Sequence, residues 1–254
     1  DETTPAGPVA ESMARPTRNI GDEAPLFRPT RTDYLPTKQG FDHYYGIPYS
    51  NDMGRKNIPL PLMRGEKVIE SPVQQVSLTR RYTEEVTGFI EQHKDQPFLI
   101  YLPHTFPHLP LFASERFKGK SAAGIYGDAV EEIDWSTGEI LAALKKHNLD
   151  EQTLVVFTSD NGSARGSNAP LRGKKGQTFE GGQRVPCVVR WPGKVPAGTE
   201  CNEITATLDL LPTFAKLACA ELPDHKIDGV NIASLLMGEK FEQAPHGAFY
   251  YYQM

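Results

Sequence analysis

The chain has 254 residues, enough for one sizeable core, and its 27 Lys and Arg against 32 Asp and Glu leave a formal net charge of −5. That balance gives no basic footprint, which excludes nucleic acid as a partner. Hydrophobic residues make up 39%, and no apolar run approaches the ~18 residues of a membrane helix, so no transmembrane segment is expected.

No charged n-region followed by an apolar h-region opens the sequence, and no signal peptide is read there. Residues 1–33 are rich in Pro, Thr, Arg and acids, without hydrophobic period, and read as an extended or weakly ordered lead-in. Segment 34–75 carries many turn signals among aromatic residues and reads as an ordered, loop-rich surface, the start of a domain spanning 34–242. From Ser77, a plausible N-cap, Leu78, Tyr82, Val86, Phe89 and Ile90 fall at helical spacing. The run 97–102, P-F-L-I-Y-L, reads as a strand. A second helix is expected over 125–147, with Tyr126, Val130, Ile133, Thr137, Ile140, Leu141 and Leu144 on one face. Residues 154–158, uncharged and β-branched or aromatic, form a buried strand that ends in Ser159, Asp160, Asn161 and Gly162. A polar Gly-rich loop (162–183), a strand (185–191) and helices over 207–219 and 232–237 follow. The last residues, A-F-Y-Y-Y-Q-M, look like the first strand of a C-terminal subdomain over 243–254. Alternation of helix and strand implies an α/β fold, a largely parallel sheet with helices on both faces.

Three widely spaced cysteines give neither a metal knuckle nor a disulfide framework. Cys187, inside an apolar strand pattern, reads as a small core residue. A Cys201–Cys219 bridge is the minor alternative to free thiols, and the compartment is not set by these residues.

Three loops leave strand ends. Asp160 and Asn161 are two hard oxygen donors where an open α/β sheet places its ligand site, suited to Ca²⁺ or Mg²⁺; the competing reading is a solvated Asx turn. His104 and His108 lie four apart in P-H-T-F-P-H-L-P, where prolines forbid a helix; they suit proton transfer or an anionic substrate, or are plain surface histidines. Loop 171–184, L-R-G-K-K-G-Q-T-F-E-G-G-Q-R, sets Arg172, Lys174, Lys175 and Arg184 among glycines that permit close backbone approach to a bound group. It is not a P-loop and reads as an oxyanion site or a solvated basic loop. Together the three favour hydrolysis of a small anionic ester, with a metal and Lys stabilising charge.

Those segments carry a resemblance. G-F-D-H-Y-Y-G-I-P-Y-S-N-D-M-G (40–54), P-F-L-I-Y-L-P-H-T-F-P-H-L-P-L (97–111), T-S-D-N-G (158–162), L-R-G-K-K-G-Q-T-F-E-G-G-Q-R-V-P (171–186), W-P-G (191–193) and T-L-D-L-L-P-T (207–213) resemble, in order, the formylglycine-dependent sulfatases of the alkaline-phosphatase-like superfamily. The resemblance implies that Asp160 and Asn161 are two ligands of the family's Ca²⁺ and that Lys175 contacts sulfate and the leaving-group oxygen. It implies that His108 binds sulfate and assists departure, with His104 a more remote candidate. Lys174 and Arg172 would bind substrate, and Arg184 would buttress the loop. The implied substrates are aryl or carbohydrate sulfate monoesters; the family is often periplasmic, secreted or lysosomal.

The departures are as informative. The family's C-x-P-x-R nucleophile segment has no counterpart here; Ala14-Arg15-Pro16-Thr17-Arg18 mimics it by coincidence. The paired N-terminal aspartates, the G-K-W-H pair and most of the small C-terminal sheet are missing, which implies a truncated fold whose exposed strand edges a rearrangement or homo-oligomer covers. Two rival readings stand beside the sulfatase one. One is a diverged carboxylic- or phosphate-ester hydrolase using Thr105 or Ser159, though no G-x-S-x-G elbow supports it. The other is a non-catalytic anion-binding module.

Overall fold

A computed structural model describes residues 32–54, 59–239 and 244–251. The lead-in expected over 1–33 and the Ala14–Arg18 segment thus lie almost wholly outside the described residues. The chain forms two compact units, Asp1–Val73 and Gln74–Met254.

In the first unit, β1 (Tyr45–Gly46), β2 (Leu62–Arg64) and β3 (Lys67–Glu70) make an antiparallel sheet in that order. Arg64 pairs with Lys67 across a two-residue turn that begins with Gly65 at φ +55°, a conformation glycine adopts without steric cost. The Lys38 ammonium lies 2.6 Å from Glu66 on that turn. Leu35, Leu60, Leu62, Met63 and Val73 are buried. Strands this short leave no alternating signature, so a region read as loops contains a small sheet.

The second unit is built on two packed helices, α1 (Leu78–Gln92) and α2 (Gly124–Lys146). Ser77 does not cap α1 with its side chain; its hydroxyl donates to the Gln74 carbonyl instead. Toward one end the helices enclose an apolar cluster of Val86, Ile90 and Leu144, joined by Phe98, Ile100, Leu102, Ile140, Leu141, Leu149 and Val155. Toward the other end the seam is polar. Thr83 Oγ1 lies 2.8 Å from the Thr79 carbonyl and 2.7 Å from Ser136 Oγ, both residues buried. Asp128 and Glu132 are buried on the same stripe of α2, while Val130 is exposed. The reason is backbone satisfaction: Asp128 accepts the N–H groups of Gly119, Lys120 and Ser121, and Glu132 that of Ser114. Two carboxylates thereby pin the 114–121 loop onto the helix.

Residues 97–102 do not form a strand, because they meet no ladder partner among the described residues. Their side chains still alternate: Phe98, Ile100 and Leu102 pack on the helix pair, whereas Leu99 and Tyr101 are 64% and 74% exposed. β4 (Val155–Thr158) pairs with β5 (Cys187–Arg190) in antiparallel register, Thr158 opposite Cys187. Every described strand pairing is therefore antiparallel, unlike the expected parallel neighbours. The β4–β5 connection carries only the one-turn helix α3 (Glu180–Gln183), and the segment that a helical crossover would set beside β4, 97–102, has no ladder.

No third strand flanks β4–β5 among the described residues, so Cys187 is exposed rather than in a core, and Val188 is 61% exposed. All three cysteines are free. Arg190 binds Asp150 through two hydrogen bonds of 2.6 and 2.8 Å, fastening β5 to the turn before β4. α4 (Leu210–Leu217) ends two residues before the expected 219, where Cys219 takes φ +55°. α5 (Ala233–Leu236) follows. Residues 244–251 carry no strand; they are held by His246, whose Nε2 lies 2.8 and 2.9 Å from the two carboxylate oxygens of buried Asp209. No helix of the described residues is long and apolar enough to cross a membrane.

Candidate functional site

β4 delivers the first element. Its C-terminal residue, Thr158, donates from Oγ1 to the Pro186 carbonyl at 3.0 Å, and the chain then turns through Ser159, exposed Asp160 and Asn161. The Asn161 amide donates to the Asp160 carboxylate, while Ser159 Oγ donates to the Asn161 carbonyl at 3.2 Å.

Gly162 joins this edge to the Gly-rich loop. Its N–H donates to the Gly182 carbonyl at 3.0 Å, and a Cβ placed on Gly162 would sit 1.9 Å from the Gly181 carbonyl oxygen. A Cβ on Gly181 would in turn sit 2.4 Å from the Gly173 carbonyl oxygen. The glycines here let backbone pack on backbone within the loop. Close approach to a bound group, expected from sequence, is not what buries Gly181 and Gly182.

The loop's cations stand on this compact base. Lys174 and Lys175 are exposed and have no carboxylate partner among the described residues. The Lys174 N–H donates to Gln177 Oε1, and the Lys175 N–H reaches the Ser163 carbonyl at 3.4 Å. The Arg172 guanidinium lies 3.8 Å from the centre of the Phe179 ring, with no described carboxylate against it. Arg184 pairs with Glu180 of its own loop at 3.3 Å. The backbone of Lys175 is thus tied to Ser163, two residues beyond Asn161.

The histidine loop has different anchors. The Thr105 and Tyr82 hydroxyls lie 3.2 Å apart, tying the loop to α1, and buried Phe106 packs against Phe112. His108 is exposed, and its Nδ1 lies 2.7 Å from the Leu109 carbonyl oxygen. A carbonyl only accepts, so Nδ1 carries the proton in that contact. The His104 side chain is half-buried: Nδ1 is sealed from solvent without a partner among the described residues, and burial pushes its pKa from 6.5 down to about 4. The two histidines therefore differ in kind, one neutral and half-buried, the other at the surface.

Thr105 and Ser159, the alternative nucleophiles, have no histidine partner among the described residues; the Thr105 hydroxyl meets the Tyr82 hydroxyl, and Ser159 Oγ lies 3.5 Å from the Asp160 carboxylate and 3.2 Å from the Asn161 carbonyl. For a metal, the described residues contain no group of three or more His, Cys, Asp or Glu side chains able to hold an ion. Ca²⁺ takes six to eight oxygen ligands. Asp160 and Asn161 offer two residues, already bonded to each other, so these residues do not by themselves make a Ca²⁺ site.

Asn168, Ser163 and Tyr126 hold the loop in place; sequence reasoning missed the first two and read Tyr126 only as part of a helix face. Ser163 Oγ lies 3.1 Å from the Tyr126 hydroxyl on α2 and accepts the Gly166 N–H at 2.6 Å. Asn168 bridges Ser163 and Gly173. No periodicity marks such residues; the only sequence signal is a cluster of Ser, Asn and Gly between two motifs.

Comparison with known proteins agrees with these observations. Residues 19–220 match the family described as Sulfatase. The human steryl-sulfatase is 41% identical over 203 residues, covering 75% of this chain and 35% of that protein. The dog N-acetylgalactosamine-6-sulfatase is 38% identical over 244 residues, covering 87% of this chain and 46% of that one. Among solved structures, Ps i-CgsB in complex with k-i-k-neocarrahexaose superposes with a TM-score of 0.70 at 32% identity, over 82% of this chain and 52% of its own. The chain therefore spans about a third to a half of the length of the proteins it matches, and its α/β architecture is theirs.

Proposed function

The chain belongs to the sulfatase family, and from that premise we propose that it serves the hydrolysis of aryl or carbohydrate sulfate monoesters by binding their sulfate group at the end of β4. The observation that supports this most is the Gly-rich loop: Arg172, Lys174 and Lys175 carry no carboxylate counter-ion among the described residues, on a base hydrogen-bonded to the segment following Asp160 and Asn161. Unneutralised cations on a rigid base suit an oxyanion of this size.

In this reading Lys175 lies against the sulfate oxygens and the oxygen of the leaving alcohol, where negative charge grows as the S–O bond breaks. His108, with Nδ1–H fixed on the Leu109 carbonyl, presents Nε2; in the protonated ring that atom donates to the departing oxygen. His104 is neutral at physiological pH and is not the acid. Lys174 and Arg172 add sulfate contacts. Asp160 and Asn161 contribute two residues to the Ca²⁺ ligand set that the family uses, and no step is routed through that ion. With no C-x-P-x-R segment in the sequence, no residue is assigned a covalent step.

A panel of an aryl sulfate, an aryl phosphate and a short-chain acyl ester tests this, with binding and turnover measured for the unmodified chain and Lys175→Ala. The sulfate ester is expected to bind best, and to bind at least ~10-fold more weakly in the variant. Preference for the acyl ester, or an unaltered Lys175→Ala, would refute the reading.

A further inference from the structure

Asn168 makes three side-chain hydrogen bonds at a junction of two loops. Its Oδ1 accepts the Ser163 N–H at 2.9 Å, and its Nδ2 donates to the carbonyls of Ser163 (2.9 Å) and Gly173 (3.2 Å). An amide suits all three, because its oxygen accepts from an N–H while the two hydrogens of its NH₂ donate to two carbonyls. The Ser163 carbonyl is the acceptor that also receives the Lys175 N–H. Ser163 lies two residues beyond Asn161 and is itself bonded to the Tyr126 hydroxyl of α2. A continuous path of hydrogen bonds therefore runs from α2 through Ser163 and Asn168 to the backbone on both sides of Lys174.

We propose that Asn168 is the positioning residue of the cationic loop: by clamping Gly173 to Ser163 it fixes Lys175 relative to the Asp160–Asn161 edge, so that sulfate affinity depends on an amide that need not touch sulfate. This rests on the assignment of Lys175 as a sulfate contact. The clamp matters because exposed lysines carry their charge on long, mobile stems, and only the backbone beneath can limit where it goes. Without the two donated bonds, the Gly173 carbonyl loses its side-chain partner, and residues on either side of Gly173 and Gly176, both at positive φ, regain the freedom glycine allows.

The experiment uses the full chain with Asn168→Ala, Asn168→Asp and Lys175→Ala, each checked for an unaltered far-UV spectrum. Inorganic sulfate is titrated calorimetrically, and tryptic nicking after Lys174 is timed. Asn168→Ala is expected to raise the sulfate Kd roughly tenfold and to speed nicking severalfold, while Lys175→Ala loses sulfate without speeding the cut at Lys174. Asn168→Asp adds a readout that a general loss of packing would not move. Its carboxylate accepts the Ser163 N–H but cannot donate, whereas the protonated acid can, so its Kd should move toward that of the unmodified chain between pH 7 and 4.5 while the Asn168→Ala Kd does not. An unchanged Kd in Asn168→Ala overturns the proposal, as does unaccelerated nicking or an Asn168→Asp response that parallels Ala. If the unmodified chain binds no sulfate, the Lys175 assignment fails and the proposal with it. A sulfate-binding chain indifferent to residue 168 removes the proposal alone.

Discussion

His104 offers the sharpest physical prediction because its Nδ1 is sealed from solvent and has no partner among the described residues. Burial holds its pKa near 4 in the folded chain, against 6.5 for an unhindered ring. Above pH 6.5 the ring is neutral whether folded or unfolded, and its ionisation contributes no pH dependence. As pH falls from 6.5 toward 4, the unfolded chain takes up a proton that the folded chain refuses, so stability falls across that window and levels off below it. The full displacement is worth roughly 3 kcal/mol, and about 2 kcal/mol of it is lost between pH 7.5 and 5. Urea unfolding followed by circular dichroism at those two pH values, on the unmodified chain and on His104→Gln, isolates this contribution because the other histidines are common to both. The variant should lose about 2 kcal/mol less than the parent on acidification. Equal losses would mean that residue 104 binds protons with ordinary affinity, and the separation of roles between His104 and His108 would collapse.

Two further outcomes concern the scaffold. Gly162→Ala places a methyl group against the Gly181 carbonyl, where backbone faces backbone, and should cost about 2 kcal/mol or more; an unaltered urea midpoint would refute the close approach. Backbone N–H groups of Ser121, Gly119 and Lys120 hold the Asp128 carboxyl below its usual 3.8. The stability this gives is complete above that value and lost as pH falls through the lower folded pKa. Asp128→Asn should therefore be less stable at pH 7 and show a shallower acid limb; parallel pH profiles would contradict the three-bond cradle.

What was legible in the sequence was whatever local pattern controls. α1 begins where expected, after Ser77, and α2 begins and ends one residue before the expected 125 and 147, because 15 and 23 residues repeat their periodicity several times. β4 was read from its uncharged, β-branched run. The errors arise where a distant partner decides. Residues 97–102 alternate as a strand does, yet a strand needs a ladder, and none forms. Asp128, Glu132 and Ser136 were passed over in favour of Val130, since an apolar face is the usual guide to burial. Asp128 and Glu132 are buried by loop N–H groups 7 to 18 residues away in sequence, and Ser136 by the Thr83 hydroxyl of α1. The candidate site divides in the same way. Asp160, Asn161, Lys175 and His108 were named from chemistry and resemblance, whereas Asn168 bonds across loops and leaves no periodic trace. The residues alone left His104 and His108 as a pair, and only the resemblance ranked them; their different burial is a physical distinction that spacing did not carry.

The most direct test of the account is a calorimetric titration of the full chain with an aryl sulfate at pH 7, beside the same titration of Lys175→Ala. The account predicts saturable binding in the unmodified chain and affinity at least ~10-fold lower in the variant, with the fold unchanged. Equal affinity in the two, or no preference for the sulfate ester over an uncharged acyl ester, would contradict it.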